Sequence, residues 1–508
     1  MRNKYISCYV AAFCAGLFST ACNDFLDEVP DNRTVIDTPE AVSELLVSAY
    51  PDANCVFFTE SMSDNVTDRG NTLDPYVQPD WNRANRQAFY WEDIDMTYQD
   101  SPNYFWMASY QAIAAANHAL EAIAELEAKG VDCSAQKGEA LLCRAYNHFM
   151  LVNVFAQHYN PAFAAIDMGV AYVTEPEKEV FGHYERVSVK ETYDKIRKDL
   201  EEGLPLISNK AYGDTPKYHF TREAAQAFAC RFYLYVGEWQ KAIDAADEAL
   251  GDNPTLRNWN EYIQMSTANR EKNYTSVQES ANLLLASTVS QFAVDQSFYR
   301  YGYSTTVNNS LFQQNDNVVN GVWAYRAEAY NVSSEALTMM KWKPYLKSDG
   351  VNSNSGIYYV MDPLFTTDEV VCDRIEALAM AGRYDEACED IELFLTNKVK
   401  NYDSIAQPVT SLMVETYYKK FAPLHPFYEN QMSEKQMAFV NCAVDFRRRE
   451  LLMEAGSTSS VLILKLPTKL IRREPRMCWH VATFVVQCRY LKRLFRMGWF
   501  LIPGKELW

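Results

Sequence analysis

Leu234-Tyr-Val-Gly-Glu-Trp-Gln-Lys-Ala242 decides the fold class. Its core is a glycine, one residue, an aromatic, two residues and an alanine. The same core returns in Leu378-Ala-Met-Ala-Gly-Arg-Tyr-Asp-Glu-Ala387. Each copy lies between one apolar helical stretch and another. Glycine allows a tight turn after the first helix. The aromatic is expected to fill the space between the pair, and the alanine lets the second helix approach closely. This is a tetratricopeptide-like helix–turn–helix signature. The copies are 145 residues apart, so the pairs do not form a simple tandem array.

Working outward, the helical period continues. Ile113, Ala116, Leu120 and Ile123 share one helix face, as do Ala225, Phe228, Phe232, Tyr235 and Trp239. Glu139 to Tyr159 reads as a helix ending before Asn160-Pro161, and Val189 to Leu206 as another. The prediction is a mainly α protein, with about four tetratricopeptide-like helix pairs forming a scaffold. Two long loop-rich inserts, roughly 51–100 and 255–360, interrupt it. Residues 61–91 carry Asp, Asn, Gly, Pro and isolated aromatics; residues 297–359 carry Tyr, Trp, Asn and Ser. Loops of that length usually carry function, so the inserts are expected to form a ligand-binding side.

The bulk properties narrow the function. The 508 residues are 48% hydrophobic and 14% aromatic, enough for a large core. A net charge of -18 argues against nucleic acid, which needs a basic footprint. The charge is uneven: residues 456–508 hold 10 Lys/Arg against 2 Asp/Glu. That basic tail reads as a frameshifted or divergent terminus. The 12 cysteines contain no CxxC pair, and Cys143 and Cys230 sit in helical apolar patterns as small hydrophobes.

The N-terminus reads as an address. Arg2 and Lys4 precede an apolar run from Ile6 to Phe18, too short to anchor in a membrane. Small residues then lead to Cys22, so residues 1–21 read as a signal peptide and Cys22 as the lipidation site. Ser19 stands where leucine is commonest in such a site.

No catalytic constellation emerges. The seven histidines form no HExxH, and neither GxSxG nor a P-loop occurs. His148 and His158 read as structural or solvated. The Asp-rich loop 64–74 could hold calcium but lacks EF-hand spacing, so no cofactor is expected. Binding chemistry is better represented. An aromatic can stack on the C–H face of a sugar while polar groups bond its hydroxyl rim. Trp81, with Asp64, Arg69 and Asn85, stands in the first insert, and Tyr299, Tyr301 and Trp323 in the second.

Six motifs in order resemble the SusD/RagB family of Bacteroidetes outer-membrane lipoproteins. They are Asp24-Phe-Leu-Asp-Glu-Val-Pro30, Tyr110-Gln-Ala-Ile-Ala-Ala-Ala-Asn117, Gly138-Glu-Ala-Leu-Leu-Cys-Arg-Ala145, the run from Arg186 to Asp199-Leu200, the pair Thr221–Leu250, and Asp445-Phe-Arg-Arg-Arg-Glu-Leu-Leu452. The resemblance spans 22–455 as one SusD-like domain, and the tail from 456 departs from it. It implies a non-enzymatic lipoprotein, tethered to the outer membrane and facing the cell exterior. Such a protein binds oligosaccharides and passes them to a SusC-like TonB-dependent transporter. It also implies that the seven residues named above line the ligand site. The alternatives are peptide capture of the RagB kind, a surface glycosidase, and a scaffold that binds only proteins.

Overall fold

The computed structural model describes residues 36–70, 79–177, 182–213, 216–312, 315–324, 334–350, 355–421 and 432–454. The signal segment with Cys22, the tail from 456, and Asn71 and Asp74 of the Asp-rich loop lie outside the described residues.

The chain begins with α1 (Pro39–Leu46), α2 (Val56–Met62), the short strand β1 (Thr67–Asp68) and α3 (Pro79–Phe89). Long helices follow: α4 (Pro102–Ala128), α5 (Ser134–Phe155), α6 (Val189–Gly203), α7 (Arg222–Val236) and α8 (Trp239–Leu250). The second insert holds α9 (Trp259–Tyr262), α10 (Thr267–Tyr274), β2 (Asn282–Val289), α11 (Phe292–Asp295), β3 (Tyr301–Gly302), α12 (Thr305–Phe312), β4 (Tyr345–Ser348) and β5 (Gly356–Thr366). Helices then resume with α13 (Thr367–Met380), α14 (Tyr384–Lys398), α15 (Ser411–Tyr418) and α16 (Glu434–Glu450). The inserts are therefore more regular than their composition predicted. Among the described residues they carry helices and two small antiparallel sheets, ordered β1-β3 and β2-β5-β4. Tertiary packing supplies order that local periodicity does not.

Among the described residues four helix pairs pack side by side: α4/α5, α7/α8, α13/α14 and α15/α16. Their starts follow from hydroxyl caps. Thr221, Thr366 and Ser433 accept the amides of Ala224, Glu369 and Gln436, and Ser433 completes a capping box with Gln436. The quoted repeat ends both first helices as predicted. Gly237 and Gly382 each have φ 78°, a left-handed turn that favours glycine. Ala242 and Ala387 are fully buried at the start of the following helix. The aromatic behaves differently from expectation at the second copy. Tyr384 packs on Phe439 of α16, with ring centroids 5.1 Å apart, and so joins a third helix to the pair.

The buried polar groups explain the motifs. Arg144 of α5 holds Asp199 of α6 through two 2.7 Å bonds and donates to Asn117 of α4 at 3.0 Å. Three motifs met separately in sequence thus close on one ion pair. His148 is structural: its Nδ1 bonds the Arg144 carbonyl, and its Nε2 accepts from the Val173 amide. Burial pushes its pKa down to about 3. At the other end, consecutive residues of α16 reach different parts of the fold. Arg447 pairs with Asp373 and Glu376 of α13, Arg448 donates to Asn65, and Arg449 pairs with Asp445 and lies over Trp323. Glu450 meets Lys398 and Arg257.

Candidate ligand-binding face

The two inserts meet around Arg69. Its guanidinium is buried and donates to backbone carbonyls only: Tyr299 and Tyr303 at 3.1 Å, Leu337 at 3.1 Å and Gln296 at 2.9 Å. Burial pushes its pKa down to about 10. Asn85 of α3 copies a strand edge, donating to the Tyr301 carbonyl at 2.9 Å and accepting the Tyr301 amide at 3.1 Å. Gly302 lies under Arg69, and a Cβ there would sit 2.6 Å from the guanidinium carbon. These bonds shape the 296–303 loop.

Those contacts show where the expected site residues stand. Arg69 gives its donors to backbone carbonyls, and Asn85 gives its own to the Tyr301 carbonyl and Ser61 Oγ, so both build the face. Trp81, Tyr299, Tyr301 and Trp323 are 7%, 0%, 5% and 1% exposed. A ring buried to that degree offers no open face to a sugar. Trp81 packs on Tyr98 and donates to Asp100 at 3.4 Å. Tyr299 lies against Phe57 and Phe292. Trp323 sits elsewhere, edge-on to Phe446 of α16, with its Nε1 bonded to the Asp316 carbonyl at 3.1 Å. Asp64 is half-buried and its carbonyl faces Arg448 at 3.5 Å. The structure thus gathers Arg69, Asn85, Tyr299 and Tyr301, and places Trp323 and Asp64 against α16 instead.

What these residues support is a half-buried aromatic layer. Phe89 stacks on Tyr301 with centroids 4.2 Å apart, and Tyr90 stands edge-on to both at 5.1 and 5.5 Å. The Tyr90 and Tyr301 hydroxyls are 3.5 Å apart. Burial, with the Tyr90 hydroxyl beside it, raises the Tyr301 pKa, so Tyr301 remains a phenol at neutral pH. Exposed Arg300 lies 5.3 Å from the Tyr301 ring centroid and forks onto Asp68 at 2.8 and 2.9 Å. The face therefore joins ring edges to hydroxyl, guanidinium and carboxylate groups. Phe89, Tyr90 and Arg300 were not singled out in the sequence, and Asp68 entered it only as part of the Asp-rich loop; the adjacent Phe89-Tyr90 at the end of α3 was the one available signal.

A second polar organiser links the inserts. Asp100, with φ 66°, accepts from Ser290 Oγ and the Gln291 amide at 2.7 Å and the Phe292 amide at 3.1 Å. Among the described residues no cluster of three His, Cys, Asp or Glu could hold a metal, and no helix is long and apolar enough to cross a membrane. Elsewhere, a cavity of about 40 Å³ lined by Asn54, Phe105, Tyr146, Arg231, Asp362 and Glu454 has room for a few waters and no sugar ring.

Comparison with known proteins agrees with this architecture. Residues 24–234 match the family model SusD-like_3, described as starch-binding associating with the outer membrane. No curated protein matches the chain. Among solved structures, a SusD superfamily protein from Bacteroides thetaiotaomicron aligns with TM-score 0.57 and 16% identity, covering 84% of this chain and 88% of that one. A SusD-like carbohydrate binding protein from Bacteroides vulgatus aligns with TM-score 0.57 and 17% identity, covering 84% and 83%. A further SusD superfamily protein from Bacteroides vulgatus gives TM-score 0.56 and 15% identity over 87% and 98%. Residues 24–234 thus match the SusD-like family by sequence, and the chain shares its fold with solved SusD superfamily structures.

Proposed function

We propose that this protein captures oligosaccharides at the outer surface of the cell and passes them, uncleaved, to a SusC-like TonB-dependent transporter. It would be held at the outer membrane by acyl chains on Cys22. The match of residues 24–234 to a starch-binding, outer-membrane-associated family carries this reading. The half-buried Phe89 and Tyr90 rings, backed by buried Tyr301 and rimmed by Arg300 and Asp68, supply matching chemistry. Ring surfaces suit the C–H face of a pyranose, and the polar rim suits its hydroxyls. Nothing in that layer pairs two carboxylates across a cleft, as a glycosidase requires.

The test is retention of the full chain in gels containing amylopectin, arabinoxylan or galactomannan, with a long incubation analysed for released sugars. Retention without release, weakened in Tyr90→Ala, is the expected result. Steady release of short sugars would replace the reading with a hydrolase. Retention on no polysaccharide by a folded sample would favour peptide capture.

A further inference from the structure

Tyr345 and Tyr359 are direct cross-strand partners on the β4–β5 ladder. Tyr345 is 68% exposed, although a tyrosine carries a large apolar ring. β4 is the edge of its sheet, so only β5 borders it. Strand alternation brings Lys347 and Ile357, the partners two positions along, to the same face. Ile357 is 43% exposed, and Lys347 Nζ stands 6.0 Å from the Tyr359 ring centroid. Tyr104 of α4 adjoins this group, its hydroxyl 3.5 Å from Asp52 Oδ2. Burial pushes the Tyr104 phenol up to about 12, helped by the Asp52 carboxylate and the nearby Tyr359 hydroxyl.

A face built this way suits one class of ligand better than others. Two tyrosine rings and the Ile357 side chain on one sheet face offer apolar surface to sugar C–H groups. The Lys347 amine donates and the Asp52 carboxylate accepts, which fits a ring of hydroxyls. The exposed apolar side chains of this face are Tyr345 and Ile357, interrupted by Lys347, far fewer than a stable protein interface needs. The net charge of -18 and the nearby Asp52 and Asp349 disfavour a polyanion.

We propose that the Tyr345–Tyr359 face of the β4–β5 hairpin is a second carbohydrate-stacking surface, taking a neutral oligosaccharide. It belongs to a different sheet from the Phe89–Tyr90–Tyr301 layer. It deepens the glycan-capture reading and rests on it. Two weak surfaces on one polymer raise the apparent affinity for long chains over short ones.

Two measurements on the full chain test this. The first is retention in amylopectin, arabinoxylan and galactomannan gels for wild type, Tyr345→Ala and Tyr90→Ala. The second is fluorine NMR of 3-fluorotyrosine-labelled protein, with the Tyr345 signal identified by Tyr345→Phe, during titration with maltoheptaose, xylohexaose or mannohexaose. The expected result is roughly fivefold weaker retention in Tyr345→Ala, with one oligosaccharide shifting the Tyr345 signal. Unchanged retention in Tyr345→Ala, with a static Tyr345 signal and binding still sensitive to Tyr90, overturns the second surface and leaves glycan capture standing. Absence of binding to every glycan by folded wild type overturns both readings. In that case, a Tyr345 shift on adding extended peptides would identify strand addition at β4.

Discussion

Lys398 Nζ lies 2.7 Å from Glu450 Oε2, and both side chains are 1% exposed. They join the end of α14 to the end of α16 and sit within a larger buried cluster. Lys398 also reaches Asp368 at 2.8 Å, and Arg257 reaches Glu450 at 3.5 Å. Lys341 pairs with Glu454 at 2.5 Å and donates to the Glu450 carbonyl. Three cations face three carboxylates, so the cluster is balanced only while every member is present.

Glu450→Gln breaks that balance and leaves Lys398 and Arg257 underpaired in a dry interior. The expected loss is about 3–5 kcal/mol, measured as a lower urea midpoint. The pH dependence has a definite sign. Burial raises the Glu450 pKa, but Lys398, Arg257 and Lys341 outweigh it and hold it below the usual carboxylate range. Its stabilisation is therefore present above the unfolded value of about 4.3 and is lost as the pH falls through the folded value. In Glu450→Gln that part of the acid limb should flatten.

Asp362 on β5 carries the opposite sign. Burial pushes its pKa up to about 7, against Thr288 and Asn54, which donate to it. Its contribution is fully present below the unfolded value of about 3.9 and is lost as the pH rises through 7. Asp362→Asn keeps an acceptor for both donors and removes the charge. Its thermal midpoint should exceed that of wild type at pH 8 and match it more closely at pH 5, by calorimetry.

Arg69→Lys is expected to behave nearly like Arg69→Ala. A single ammonium cannot satisfy carbonyls spread over Gln296, Tyr299, Tyr303 and Leu337, which need the planar fork. Each change should cost about 2–4 kcal/mol through unsatisfied groups. Gly302→Ala should add strain of about 1–3 kcal/mol by overpacking the guanidinium. Chemical denaturation of the three variants checks the order.

Trp323→Ala and Tyr90→Ala should separate packing from ligand contact. Trp323 is buried against Phe446, so its removal should cost about 3–5 kcal/mol while folded protein keeps wild-type glycan affinity. Tyr90 is half-buried, and its loss should weaken retention roughly tenfold with little change in midpoint. Paired affinity electrophoresis and thermal melts distinguish the two.

Much of the scaffold was legible locally. The Gly-x-aromatic-x-x-Ala repeat marks real helix hairpins because a left-handed glycine and a close-packed alanine are demands of adjacent residues. The helical period marks α4 to α8 and α13 to α14 because a buried stripe must recur every three or four residues. The motif residues Asn117, Arg144 and Asp199 were visible too, though not that they meet.

The ligand side followed a different logic. Trp81, Tyr299, Tyr301 and Trp323 are aromatic residues in inserts, and residue type cannot distinguish a ring that packs from one that faces solvent. For Tyr299 and Tyr301 partners more than 200 residues back in the chain decide that: they are held by Arg69 and Asn85. The same bonds turn Arg69 and Asn85 to the protein's own groups and leave Phe89, Tyr90 and Arg300 half-buried at the surface. Helix pairing is set by contacts within a few residues, so the sequence alone determined it. Exposure of a side chain is set by tertiary burial, so only the tertiary structure decided which insert residues reach the surface.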